Sequence, residues 1–130
     1  MYFTINLSEY SQEVRRDIIL ETSCHEIIIY AKTSEDYVER CAAALNPNIS
    51  TVELDELSRD PNDCVKKCVL MNEKTLGETI DAMLTDDEVT PDENLIVNHK
   101  NVLKKTLERF IQTHTDSTLK IVATNRLKCM

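Results

Sequence analysis

Short apolar blocks that end in a polar residue recur along the chain. Ile18-Ile19-Leu20 precedes Glu21, Ala42 to Leu45 precedes Asn46, Val69-Leu70-Met71 precedes Asn72, Leu95-Ile96-Val97 precedes Asn98, and Val122-Ala123-Thr124 precedes Asn125. The polar marks at 21, 46, 72, 98 and 125 lie 25, 26, 26 and 27 residues apart, a period that signals stacked supersecondary units. Each interval holds two helices of about ten residues and two tight turns. First helices are predicted over 13–20, 37–44 and 64–71, where an apolar residue, two polar ones and an apolar block give helical spacing. Second helices carry Ile27 to Tyr30, then Val52, Leu54 and Leu57, then Leu76, Ile80, Met83 and Leu84, then Val102, Leu103, Leu107, Phe110 and Ile111. Their i, i+3, i+4, i+7 steps leave one dry and one wet face.

The predicted fold is therefore all-α: a single domain forming a short α-solenoid of about four helical hairpins with a period of about 26 residues. Its parts are a cap over 1–12, repeats over 13–35, 36–60, 61–89 and 90–114, and a C-terminal cap over 115–130. Extended structure at Tyr2 to Leu7 and at Leu119 to Ala123 is the alternative reading of the two ends. Asp60-Pro61 and Thr90-Pro91 read as helix starts, with Glu93 placed to close a capping box on Thr90. Asn at the stops tolerates a left-handed backbone and offers an amide to orphan carbonyls, so stacked copies suggest an asparagine ladder. Asn46 departs from this, because the following Pro47 biases it toward extended geometry.

Composition narrows the class. The 130 residues (14.9 kDa) include one Gly and three Pro, which disfavours turn-rich β folds. With no apolar run of spanning length and no basic leader, the chain reads as soluble and cytoplasmic, without a membrane partner. Five irregularly spaced cysteines (Cys24, Cys41, Cys64, Cys68, Cys129) fit reduced thiols better than a disulfide framework.

The run from Leu54 to Asn72, together with Asn46-Pro47-Asn48 ahead of it, resembles the leucine-rich repeat variant, a HEAT-like helical repeat family found mainly in bacterial and phage sequences. The resemblance is strong over about residues 36–85 and degenerate elsewhere. It implies a curved right-handed solenoid and a binding role, with no inherited catalytic residue. Some members carry an N-terminal cysteine cluster for an iron–sulfur centre; this chain has no cysteine before Cys24, so no cofactor is implied.

Reactive constellations are sparse. Cys64 and Cys68 sit one turn apart, but Cys41 on the neighbouring unit reads as too distant to bridge, and no further ligands converge for a metal. His25, His99 and His114 are scattered among units and read as exposed loop residues without triad partners. Gly77 is the one glycine, so a glycine-rich phosphate loop is excluded and the chain reads as non-enzymatic.

Charge says more. The net charge is −8, yet residues 1–98 balance at −13 and residues 99–130 at +5. Asp55 and Asp81 occupy equivalent places nine residues after Asn46 and Asn72, and Glu53, Glu56 and Glu78 widen this into an acidic row on the second helices. Lys104, Lys105 and Arg109 follow on the next helix. These eight residues are the candidate binding set, fitting an adaptor or inhibitor that docks on another protein's basic surface. The family resemblance extends this to a phage-encoded modulator of a host protein. The alternatives are nucleic-acid binding through the basic C-terminal region, against which overall acidity and 5% aromatic content count, and an acidic DNA mimic. A monomer or weak dimer is expected.

Overall fold

Helix is the only regular element in the described part of the computed structural model, which covers residues 7–85, 92–113 and 117–130. A 3-10 turn at Leu7–Glu9 leads into α1 (Gln12–Glu21), α2 (His25–Lys32), α3 (Tyr37–Leu45), α4 (Thr51–Leu57), α5 (Asp63–Met71), α6 (Gly77–Thr85), α7 (Glu93–Asn98), α8 (Lys104–Thr113) and α9 (Ser117–Lys128). The extended alternative at Leu119 to Ala123 is overturned, since α9 runs through it. Tyr2 to Asn6, Asp86 to Pro91 and His114 to Asp116 lie outside the described residues.

Starts are written in short polar side chains. Ser11, Asp36, Ser50, Asn62 and Asp92 each accept a hydrogen bond from a main-chain amide of the first turn, at 2.8 to 3.3 Å. Two of these correct the sequence expectation. Asp60 does not cap α5, because its carboxylate is held by Arg40 (2.7 Å) and Asn62 supplies the cap two residues later. The cap of α7 is likewise Asp92; Thr90 and Pro91 lie outside the described residues.

Stops are equally uniform. The C-cap residues of α1, α3, α5 and α7 are Thr22, Asn46, Asn72 and His99, all extended with ψ from 124 to 143°. The left-handed conformation expected of the asparagines does not occur, and no described non-glycine residue has positive φ. The amides of Asn46, Asn72 and His99 close a tight last turn instead, as in Asn46 N–H to Ala43 O (3.1 Å) and Asn72 N–H to Val69 O (3.1 Å), while the Thr22 amide closes an ordinary α turn on Ile18 O (3.0 Å). Two marks read from the sequence move by one residue: α7 includes Asn98 and is capped by His99, and α1 is capped by Thr22 and not Glu21.

Packing follows from this regularity. Each odd-numbered helix packs on the next, α1 on α3, α3 on α5, α5 on α7 and α7 on α9, while each even-numbered helix packs on the odd helix that follows it. The core runs along this row through Ile19, Ile28, Ala43, Leu54, Val65, Val69, Ile80, Ile96, Leu107, Phe110 and Ala123. Small alanines at 42 to 44 let α3 sit between α1, α2 and α5.

Gly77 opens α6 with no room for a side chain, because an added Cβ would lie 2.5 Å from the Asn101 carbonyl oxygen and 2.6 Å from a Leu103 methyl. Gly77→Ala should therefore destabilise the protein by about 1–3 kcal/mol despite alanine's better helix propensity, as read by urea denaturation. An unchanged or raised midpoint would contradict this packing of α6 against the α7–α8 connection.

Candidate interaction surface

The joints between layers come first, because they decide which polar groups remain for binding. Asn46 Nδ2 donates to the carbonyls of Ile19 (2.7 Å) and Thr22 (2.8 Å) at the end of α1. Asn72 Nδ2 does the same to Ala44 (2.8 Å) and Asn46 (3.2 Å) at the end of α3. One layer on, His99 Nδ1 accepts from the Asn101 amide (3.0 Å), so its proton sits on Nε2 and donates to the Asn72 carbonyl (3.0 Å). Arg126 closes the series by donating to the carbonyls of Val97 (2.6 Å) and His99 (2.8 Å). The expected asparagine ladder thus has two asparagines, a histidine and an arginine as its rungs. His99 is accordingly buried, correcting its reading as an exposed loop residue.

The same cap side chains shape the following turn. Asn46 Oδ1 and Asn72 Oδ1 accept from the amides two residues on, at Asn48 (2.7 Å) and Lys74 (2.9 Å). Residues at that second position also reach backward: Asn48 to Thr22 O, Lys74 to Pro47 O and Ile49 O, and Asn101 to Glu73 O and Thr75 O.

On the even helices a second repeat links layer to layer. Asp55 of α4 accepts from the Thr79 hydroxyl of α6 (2.9 Å), and Asp81 of α6 accepts from the Thr106 hydroxyl of α8 (2.6 Å). Arg59 and Arg109 complete the two carboxylates at 2.9 and 3.3 Å. Asp55 and Asp81 are indeed equivalent, but each spends its charge inside the molecule. Glu53, Thr79 and Thr106 share the place seven residues after a cap, and all three are buried. Glu53 therefore does not widen a wet row: it accepts from Ser50 Oγ (2.9 Å), with His25 Nδ1 at 3.6 Å and Lys32 Nζ at 4.0 Å. Glu56 pairs with Lys32 (2.8 Å) and Glu78 with Lys105 (3.3 Å), both acids remaining more than half exposed. Lys104 is exposed and makes no ion pair among the described residues.

Sequence reasoning missed the acid–base pairs between odd layers, the first two of which have a buried acid. Arg15 of α1 meets Glu39 of α3 (2.9 Å), and Arg40 of α3 meets Asp60 ahead of α5 through two nitrogens (2.7 and 3.3 Å). Lys67 of α5 stands 4.0 Å from Asp92 at the start of α7. The signal was present as basic residues at near-repeat spacing, 15, 40 and 67. Its own partial burial and the Glu39 carboxylate nearby push the Tyr30 phenol above its ordinary pKa.

All five cysteines are free thiols. Cys41 and Cys68 nevertheless adjoin one another between α3 and α5, nearer than layer spacing alone suggests, because both side chains lean into the same joint. Burial, with the Cys68 thiol beside it, pushes Cys41 up to about 12. No group of three or more His, Cys, Asp or Glu placed to hold a metal occurs among the described residues, and no described helix is long and apolar enough to cross a membrane. Searches against family models, curated proteins and solved structures match nothing.

Two predictions follow from these geometries. Asn72→Ala strips two carbonyls of their donor and should cost about 2–4 kcal/mol in urea denaturation, whereas His99→Asn, which keeps a donor and an acceptor, should stay within about 1 kcal/mol of the parent; equal losses would contradict the ladder. For the thiols, burial pushing Cys41 up to about 12 leaves very little thiolate at pH 8, so iodoacetamide at that pH should label exposed Cys64 and Cys129 first and Cys41 last, read by peptide mass spectrometry. Early labelling of Cys41 would overturn that assignment.

Proposed function

We propose that this chain is a short α-solenoid of helical hairpins, akin to the leucine-rich repeat variant, acting as a non-enzymatic module that binds another protein. The layered row of odd helices and the side chains that repeat at matching register support the solenoid reading. One observation carries the binding role: large apolar side chains stand in water on the even-numbered layers, with Ile29 of α2 41% exposed, Val52 of α4 67% and Leu76, just ahead of α6, 49%. The even-numbered helices α4, α6 and α8 also carry the accessible charges Glu56, Glu78, Lys104 and Lys105. Apolar anchors amid exposed charges match the composition of protein interfaces, with a mostly apolar centre and a polar rim.

Of the candidate set, Glu56, Glu78, Lys104 and Lys105 are free to meet a partner, while Asp55, Asp81, Arg109 and Glu53 act as its support. A basic partner surface would break the Lys32–Glu56 and Lys105–Glu78 pairs and take over the two carboxylates. Those pairs are exposed and individually weak, so the exchange costs little. An adaptor or an inhibitor, phage-encoded or cellular, both fit this surface.

Affinity capture with purified protein tests the proposal when run beside Val52→Asp/Leu76→Asp and Glu56→Lys/Glu78→Lys. A single protein partner whose affinity falls at least about tenfold with either double variant, each still helical by circular dichroism, is the expected result. Capture unaffected by both variants would refute it. So would duplex DNA binding that weakens steeply with salt and vanishes on reversal of Lys104 and Lys105, which would establish the nucleic-acid reading instead.

A further inference from the structure

The two ends of the helix row are complementary in a way that the even-helix surface is not. Cap residues of successive odd helices meet, so these helices lie with like ends together. α1 turns Arg15 and the Ile19 carbonyl toward α3, and its exposed residues Glu13, Asp17 and Glu21, spaced by four, form one acidic stripe. Asp17 keeps 68% of its side chain in water, with Arg16 at 3.5 Å as its partner, and Val14 beside the stripe is 43% exposed.

At the other end α9 packs on α7 and α8 through Leu119, Val122, Ala123 and Arg126. Its outer side carries the exposed Lys120 and Lys128 with half-buried Thr124 between them at the same spacing of four, and no acidic residue occurs from Ser117 to Met130. Ile121, 60% exposed, lines a furrow of about 430 Å³ together with Lys120, Thr124 and Asn125 among the described residues. Neither Lys120, Lys128, Glu13 nor Glu21 has an ion-pair partner among the described residues.

The inner joints show what such a pair of faces does. At three successive joints a base on the earlier odd helix meets an acid of the next: Arg15 with Glu39, Arg40 with Asp60, and Lys67 with Asp92. Lys120, six residues ahead of the rung Arg126, stands where Arg40 stands six ahead of Asn46. It is a base of the same kind, exposed and without an ion pair among the described residues.

We propose that a second copy of this chain docks head to tail, laying the acidic α1 stripe of one molecule on the basic α9 stripe of another with Ile121 and Val14 between them. The contact uses two different patches, so it is heterologous and leaves a free end at each side; growth is stepwise, without a closed dimer as its end point. Exposed ion pairs and two apolar side chains make it weak and salt-sensitive.

Sedimentation velocity of the full chain tests this. The weight-average mass should climb above 14.9 kDa as concentration rises from about 10 to about 500 µM, and fall back when salt rises from about 0.1 to about 1 M and the screening length shrinks from ~10 to ~3 Å. Glu13→Lys/Glu21→Lys alone and Lys120→Glu/Lys128→Glu alone should each stay monomeric at tenfold higher concentration. Mixed together they should associate, because the basic α1 of one now faces the acidic α9 of the other. Ile121→Asp, on an exposed face, gives an independent disruption. A wild type that stays monomeric throughout, association that survives both reversals, or a mixture that fails to recover it would each overturn the proposal. None of these residues belongs to the even-helix surface, so failure here leaves the protein-binding proposal untouched.

Discussion

A helix of about ten residues ends in carbonyls that its own amides cannot reach, and in this chain the next layer reaches them. Asn46, Asn72, His99 and Arg126 each carry N–H groups to the end of the preceding odd helix. Everything else is arranged around that constraint. Asn46, Asn72 and His99 each sit where a helix stops, and the oxygen or ring nitrogen of each accepts from two residues on, which sets the turn; Arg126 reaches back from within α9. Because an unsatisfied buried carbonyl costs about as much as the net worth of several ordinary hydrogen bonds, one layer is hard to remove without its neighbour.

That logic extends to the charges. A protein with 23 acidic residues and 15 basic ones invites a reading of its surface as an acidic dock. Half of the candidate set instead ties layers together: Asp55 and Asp81 accept threonine hydroxyls from the next even helix, Arg109 serves Asp81, and Glu53 is buried. What is left outside is sparse and mixed, exposed apolar side chains among weakly paired acids and bases. On the proposed binding role, specificity would come from shape and a few apolar anchors more than from a uniform field.

Much of this architecture is legible in the chain. The all-helical class, the α9 helix and the C-cap positions of Asn46 and Asn72 follow from apolar blocks ending in a polar residue. The misses have physical causes. His99 and Arg126 perform an asparagine's task with different atoms, so a search for asparagine lands one residue early, on Asn98 and Asn125. Asp60 looks like a cap until Arg40, twenty residues away in sequence, takes its carboxylate. Buried Glu39 and Glu53 look wet because burial here depends on a partner in another layer, which local pattern cannot carry. The repetition of Asp55 and Asp81 is visible in the chain, whereas their bonds to the Thr79 and Thr106 hydroxyls depend on residues a layer away.

The most direct test of the account is native-state hydrogen exchange at the side-chain carboxamides of Asn46 and Asn72, followed by NMR. If these amides hold the layers together, their protons exchange as slowly as the main-chain amides of α3 and α5, and only through the same cooperative opening. Carboxamide protons that exchange at the rate of exposed asparagines such as Asn94, while α3 and α5 stay protected, would show that the helices stack without the ladder and would contradict the account.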